Sequence, residues 1–210
     1  MLDHASPSAV VGIDPSPEFV AHVKANLEDP RATFAVGSAM ELDFDDGAFG
    51  AAAAGLVLNF VPDPAVAATE MRRVVRPGGT VGAYVWDYAG EMRMLRVFFD
   101  AAVELDPEAA QMDEGRRFPL CRPDRLLALF EGAGLQAVEV RSLDVDMDFQ
   151  DFNDYWNPFL GGQGPAPHYA MSLDSARRGR LRDLIRSRLK PDPDGHIRMV
   201  SRSWAVKGTA

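Results

Sequence analysis

Cysteine is almost missing: Cys121 stands alone among 210 residues. One thiol excludes an internal disulfide framework and fits a reducing compartment. Long apolar runs are missing as well. The longest, Ala51 to Val61, is broken by Gly55 and Asn59 and is too short to cross a bilayer. The first residues show no basic stretch leading into a hydrophobic core of the kind that directs secretion, so a cytoplasmic location without membrane association is expected. Basic charge is in deficit, with 22 Lys and Arg against 31 Asp and Glu and a formal charge of -9. That balance argues against nucleic acid or an anionic membrane as partner and leaves a small molecule. Histidine is sparse, no pair has metal-ligand spacing, and no metal site is expected.

What is present is enough for one sizeable domain. Hydrophobic residues make up 47% and charged residues 25% of the chain, which supports a real core. Strand and helix patterns alternate through the first two thirds, the signature of a parallel sheet with crossover helices. The stretch "AVVGIDPSPEF" predicts a buried strand over residues 9–13 that delivers Asp14 to the carboxyl edge of a sheet. Ser16 and Pro17 then open a helix with Phe19, Val20, Val23 and Leu27 on one stripe. A short strand is expected at 33–36, and "AFGAAAAGLVL" reads as a central strand covered on both faces. Asp63 and Pro64 start the next helix, "RPGG" stops it, and residues 79–86 form the following strand. Beyond it, helices are expected at 92–105, 123–133 and 174–189, with strands at 137–145 and over "HIRMVSRSWAVKG". "GGQGPAP", residues 161–167, reads as a flexible loop or lid.

The order of these parts carries a resemblance. An acid ends one strand, "GSAME" follows the next, "GLVLNFVPDP" ends the third, and "RVVRPGG" leads into the fourth, with "RSWAVKG" in the last. In that order they resemble a class I S-adenosylmethionine-dependent methyltransferase of the small-molecule type. The resemblance implies an α/β fold, a Rossmann-like three-layer sandwich with a mostly parallel sheet and an antiparallel last strand. It implies a single domain over 1–210 with a substrate-cap insertion around 147–190. S-adenosylmethionine is the implied cofactor, and a small-molecule methyl acceptor the implied partner.

Each matched position has a physical role. Asp14, followed by Pro15, would accept hydrogen bonds from both ribose hydroxyls of the donor, because a carboxylate offers two oxygens to a vicinal diol. Ser38 falls where the family often contacts the adenine amino group, with Ala39 and Met40 lining the ring; the alternative for Ser38 is a simple turn. Gly55 would permit close backbone approach to the ligand, and Asn59 would offer an amide to the methionine portion or to substrate, or else cap a turn. Trp86 and Tyr88 sit where a strand releases into a pocket-lining loop; an aromatic near a sulfonium is useful, though Trp86 also reads as core. Arg117, Trp156 and Tyr169 are candidates for the substrate side, and His168 is the histidine placed to act as general base, or else a plain exposed loop residue.

One part of the pattern is not found. The family places a first strand and a glycine-rich loop before the helix that leads to Asp14, and residues 1–8 are too few to supply them. In the family's sheet that strand lies between the one ending at Asp14 and the one ending near Leu58, so unpaired edges are expected there. A missing N-terminal segment, a homodimer or other partner chain, or another segment of this chain would fill the gap; the first is the preferred expectation, with impaired cofactor binding as its result. Two other readings stay open. A nicotinamide-dependent Rossmann oxidoreductase would carry GxGxxG about twenty residues before Asp14, and a non-catalytic partner subunit would bind a second chain through its uncovered edges.

Overall fold

The computed structural model describes residues 5–210. It begins with a right-sized βαβ unit: β1 (Val10–Asp14), α1 (Pro17–Asn26) and β2 (Ala32–Val36), the two strands parallel with Asp14 opposite Val36. α1 starts where the sequence places it, because the Ser16 hydroxyl accepts a hydrogen bond from the Phe19 N–H at 3.2 Å and Pro17 needs no donor of its own.

β1 and β2 form a two-stranded sheet, and a second sheet has the order β3-β4-β6-β5. Its strands are β3 (Phe49–Gly55), β4 (Val75–Trp86), β5 (Gln136–Phe149) and β6 (Ile197–Thr209). β3 and β4 are parallel, and β6 is antiparallel to both β4 and β5, so the last strand is antiparallel as expected and the sheet is mixed. Among the described residues β1 pairs only with β2 and β3 only with β4, which leaves one unpaired edge on each.

Helices α2 (Pro64–Arg73) and α5 (Pro123–Gly132) cover one face of the four-stranded sheet. On the other face Met147, Phe149, Ile197 and Met199 pack into a second, helical core, the further layer that was expected, while Tyr84, Leu143 and Val145 remain 43%, 44% and 56% exposed. The same exposure corrects the reading of β3 as a covered central strand. It is an edge strand whose Ala51, Ala53 and Gly55 face solvent, and residues this small lose little by exposure.

Two cores result. The first gathers Leu58, Met71, Val81, Val85, Leu126, Phe130 and Val206 between the sheet and α2 and α5. The second is aromatic: Phe98 and Phe99 from α3 (Arg93–Leu105) meet Phe152, Tyr155 and Trp156 from α6 (Phe152–Trp156), together with Phe159. Tyr169 from α7 (Pro165–Ser172), Leu181 and Ile185 from α8 (Ser175–Arg188), and Ile197 complete it. α2 owes its start to Asp63, whose Oδ1 accepts from the N–H groups of Ala65 and Val66 at 3.0 and 3.1 Å. Asp63→Ala should therefore lower the urea midpoint by the equivalent of about 1 kcal/mol with an unchanged m value.

Candidate active site

Three strand ends supply the residues of interest. At the end of β1, Asp14 is half-buried and its Oδ1 accepts from the Ser16 N–H at 2.8 Å, while Oδ2 has no protein partner among the described residues. The Gly37 N–H donates to the Asp14 carbonyl at 3.1 Å, which ties the chain leaving β2 beside that acid. Ser38 follows, its hydroxyl accepting from the Met40 N–H at 3.1 Å, and Ala39 and Met40 pack against the first core. Pro15 is exposed. Asp14, Ser38, Ala39 and Met40 thus collect along one carboxyl edge.

The third end is that of β3. A side chain at Gly55 would meet the Tyr84 hydroxyl at 2.7 Å, so this glycine makes room for a neighbouring strand's tyrosine. Leu56 comes next in the left-handed region at φ 56, a conformation that costs a branched residue on the order of 1 kcal/mol, and its N–H donates to the Tyr84 carbonyl at 2.8 Å. The sharp turn sends Leu58 into the first core and Asn59 into a cavity. There the Asn59 Nδ2 is buried without a hydrogen-bond partner among the described residues.

That cavity, about 460 Å³, is lined by Asn59, Phe60, Glu114, Arg117, Phe118 and Pro165. Phe60 and Phe118 meet edge to face with centroids 5.0 Å apart, and Tyr88 lies behind Phe118 at 5.7 Å. The Arg117 side chain is exposed, its guanidinium 5.4 Å from the Phe118 ring. Glu114 is 6% exposed and its Oε2 has no hydrogen-bond partner among the described residues. Burial pushes this carboxyl up to about 7, and the neighbouring Asp113 charge adds to the effect while Arg117 and Arg96 oppose it. Tyr88 is pushed up to about 12, chiefly by its burial and then by Glu114.

Glu114 is held by a short helix, α4 (Glu114–Arg117), which is fixed from α3. Arg96 donates from Nη1 to Asp113 Oδ1 at 2.8 Å and from Nη2 to Oδ2 at 2.9 Å, and Nη1 also donates to the Tyr88 carbonyl at 3.1 Å. Asp113 Oδ1 accepts in addition from the Gly115 N–H at 2.9 Å. A side chain at Gly115 would lie 2.7 Å from Arg96 Nη1 and 2.9 Å from the Tyr88 carbonyl, so only glycine fits between them.

Of the residues expected from the sequence, Asn59 and Arg117 line the cavity and Tyr88 backs it. Trp86 is half-buried against the first core. The others stand elsewhere. Trp156 stacks on Phe152 at an interplanar angle of 9° and Tyr169 donates its hydroxyl to Asp106 at 3.3 Å, both within the second core and away from the cavity. His168 is exposed and does not line the cavity. The reason is that "GGQGPAP" is not a free loop: Pro165 begins α7, whose buried residues Ala166, Tyr169 and Ala170 turn His168 outward. Glu114, Phe60 and Pro165 are cavity residues that the sequence did not single out. The only sequence signal for Glu114 was its place in "DEGRRFPL", where it resembles any surface acid.

Comparison with known proteins agrees with this layout. A family model described as a methyltransferase domain matches residues 1–82. Demethylmenaquinone methyltransferase of Roseiflexus castenholzii is 35% identical over 144 residues, 62% of this chain and 59% of that protein. The protein of the same name from Staphylococcus carnosus is 31% identical over 116 residues, 50% of this chain and 48% of its own length. This chain therefore spans roughly half the length of the curated relatives it matches. A putative methyltransferase from Bacillus halodurans shares the fold with a TM-score of 0.59 at 16% identity, over 96% of this chain and 82% of that one. Over its first 82 residues the chain is thus similar to a methyltransferase domain, and in fold it is similar to a structure described as a methyltransferase.

Proposed function

We propose that this chain binds S-adenosylmethionine along the carboxyl edge of β1 and β2 and directs its methyl group to a small-molecule acceptor held in the cavity below Asn59. The donor would supply an electrophilic methyl group on a sulfonium sulfur. The residues present suit it: Asp14 Oδ2 is free to accept from ribose hydroxyls, Ser38 can accept from an adenine amino group, and Ala39 and Met40 offer an apolar flank. Asn59 is the observation that carries the reading. Its amide nitrogen is buried and unpaired among the described residues, at a strand end that opens into a cavity, a costly arrangement unless a ligand completes it.

The acceptor side is apolar and aromatic, with Phe60 and Phe118 as walls. Two relatives are named for a demethylmenaquinone acceptor, which supports a small molecule here too. The second core, built from the 147–190 region and α3, acts in this reading as a substrate cap, reaching the cavity through Pro165. Methyl transfer then depends on alignment and exclusion of water more than on acid–base groups. Neither the nicotinamide reading nor the non-catalytic one gains support from the comparisons.

Calorimetric titration of S-adenosylmethionine and S-adenosylhomocysteine into the chain tests the proposal. Both should bind, and Asp14→Ala should weaken them about tenfold or more through loss of a charge-assisted hydrogen-bond acceptor. No binding, binding of NAD instead, or an unchanged affinity in the variant would overturn it.

A further inference from the structure

We propose that Glu114 is the proton acceptor for the nucleophilic hydroxyl of the methyl acceptor, and that this acceptor is a flat aromatic molecule with a second oxygen that takes a hydrogen bond from Asn59. The inference rests on the methyltransferase reading and adds to it a residue and a substrate class.

Glu114 is a buried acid that forms no ion pair among the described residues. Its neighbour Asp113 takes both nitrogens of the Arg96 fork and caps α4. The Glu114 Oε2 is buried and unpaired among the described residues, yet Glu114 lines a cavity of about 460 Å³, ample for a substituted aromatic ring. A buried carboxyl without a partner destabilises the fold, so the expected compensation is a ligand that donates to it. Asn59 lines the same cavity, and its buried Nδ2 is the complementary group, a donor without an acceptor among the described residues. A molecule that satisfies both must carry an O–H for Glu114 and an oxygen lone pair for Asn59. Phe60 and Phe118, in edge-to-face contact with each other, form one apolar aromatic wall of the cavity, against which a flat aromatic body can pack.

The chemistry balances. As the acceptor oxygen forms its new bond to the methyl carbon, the donor's carbon–sulfur bond would break and leave its electron pair on sulfur as a neutral thioether; the acceptor's O–H bond breaks, the proton moves to Glu114 Oε2, and the electron pair of that bond stays on the oxygen. Glu114 ends as the neutral acid. A carboxyl that titrates near neutrality suits this exchange, since it is ionised enough to take the proton and basic enough to hold it. Besides burial, the groups that set its titration are its own backbone N–H, which lowers it, Asp113 and Arg117 on its own segment, and Arg96 on α3. The Asp113–Arg96 pair and the close fit at Gly115 keep the carboxyl in place.

The test uses 1,2-dihydroxybenzene as probe and 1,2-dimethoxybenzene as its hydroxyl-free control, titrated calorimetrically into the wild-type chain at pH 6 and pH 8. The diol should bind severalfold tighter at pH 8, where an ionised Glu114 accepts a charge-assisted hydrogen bond, and the control should be indifferent to pH. Glu114→Gln, close to isosteric, should weaken the diol about tenfold at pH 8 and remove its pH dependence. Equal binding of diol and control in the wild type, or a pH dependence that survives in E114Q, overturns the assignment. The wild-type comparison decides without the variant if E114Q does not fold. S-adenosylhomocysteine, titrated in parallel, separates the two readings: donor binding without diol recognition overturns only the role of Glu114, and absence of donor binding overturns the methyltransferase reading and this inference with it.

Discussion

Arg96→Ala should cost about 3–5 kcal/mol of folding stability, read from the urea midpoint, because it leaves Asp113 buried and uncompensated. The two side chains are only 12% and 6% exposed, so solvent cannot replace the lost partner well. The same change frees the Tyr88 carbonyl and the space beside Gly115, so α4 loses its anchor and the cavity its fixed wall. Stability and diol binding should therefore fall together. A double variant, Arg96→Ala with Asp113→Ala, should recover part of the loss, since no orphaned charge remains. A loss under 1 kcal/mol for the single change would show that the pair is not the support described here.

Phe98→Ala should cost a similar amount, about 3–5 kcal/mol, for a different reason. Phe98 is fully buried, with ring centroids of Phe159 and Phe99 at 4.6 and 5.3 Å and those of Tyr169 and Trp156 at 6.3 and 6.5 Å. Truncation leaves a void that rigid rings fill poorly, so the transfer and cavity costs both apply. Phe98 does not line the cavity, and donor affinity should change little under conditions where the variant stays folded. Thermal unfolding beside donor titration separates the two effects. A large fall in donor affinity in the folded variant would mean that the second core and the donor edge are coupled more tightly than their separate contacts suggest.

The elements that could be read from sequence are those whose cause is local. Ser16 and Asp63 each announce a helix start through a side-chain cap and a following proline, and both caps form. Asp14 at a strand end was equally legible, since an apolar run closed by an acid is a pattern of neighbours. What could not be read depends on distant residues. "RPGG" looks like a helix stop, yet the helix ends at Arg73 and β4 already begins at Val75, because Phe49 offers it a strand to pair with. "AFGAAAAGLVL" has the composition of a strand buried on both sides, and only the tertiary layout leaves one side open. Pro165 turned a presumed loop into a helix and carried His168 outward. Glu114 was the largest omission: its burial is set by Arg96, eighteen positions earlier in the chain, and by Gly115 fitting against it.

β5 and β6 run without interruption from the first core to the second, paired from Glu139 with Lys207 to Phe149 with Ile197. Val140 and Val206 belong to one core, and Met147, Phe149, Ile197 and Met199 to the other. Such a ribbon behaves as a rigid beam, and the two halves cannot swing apart like the jaws of a clamp without snapping a row of ladder bonds. Access to the space beneath Asn59 therefore does not depend on the two halves parting: exposed Phe60 and Arg117 already stand at its rim.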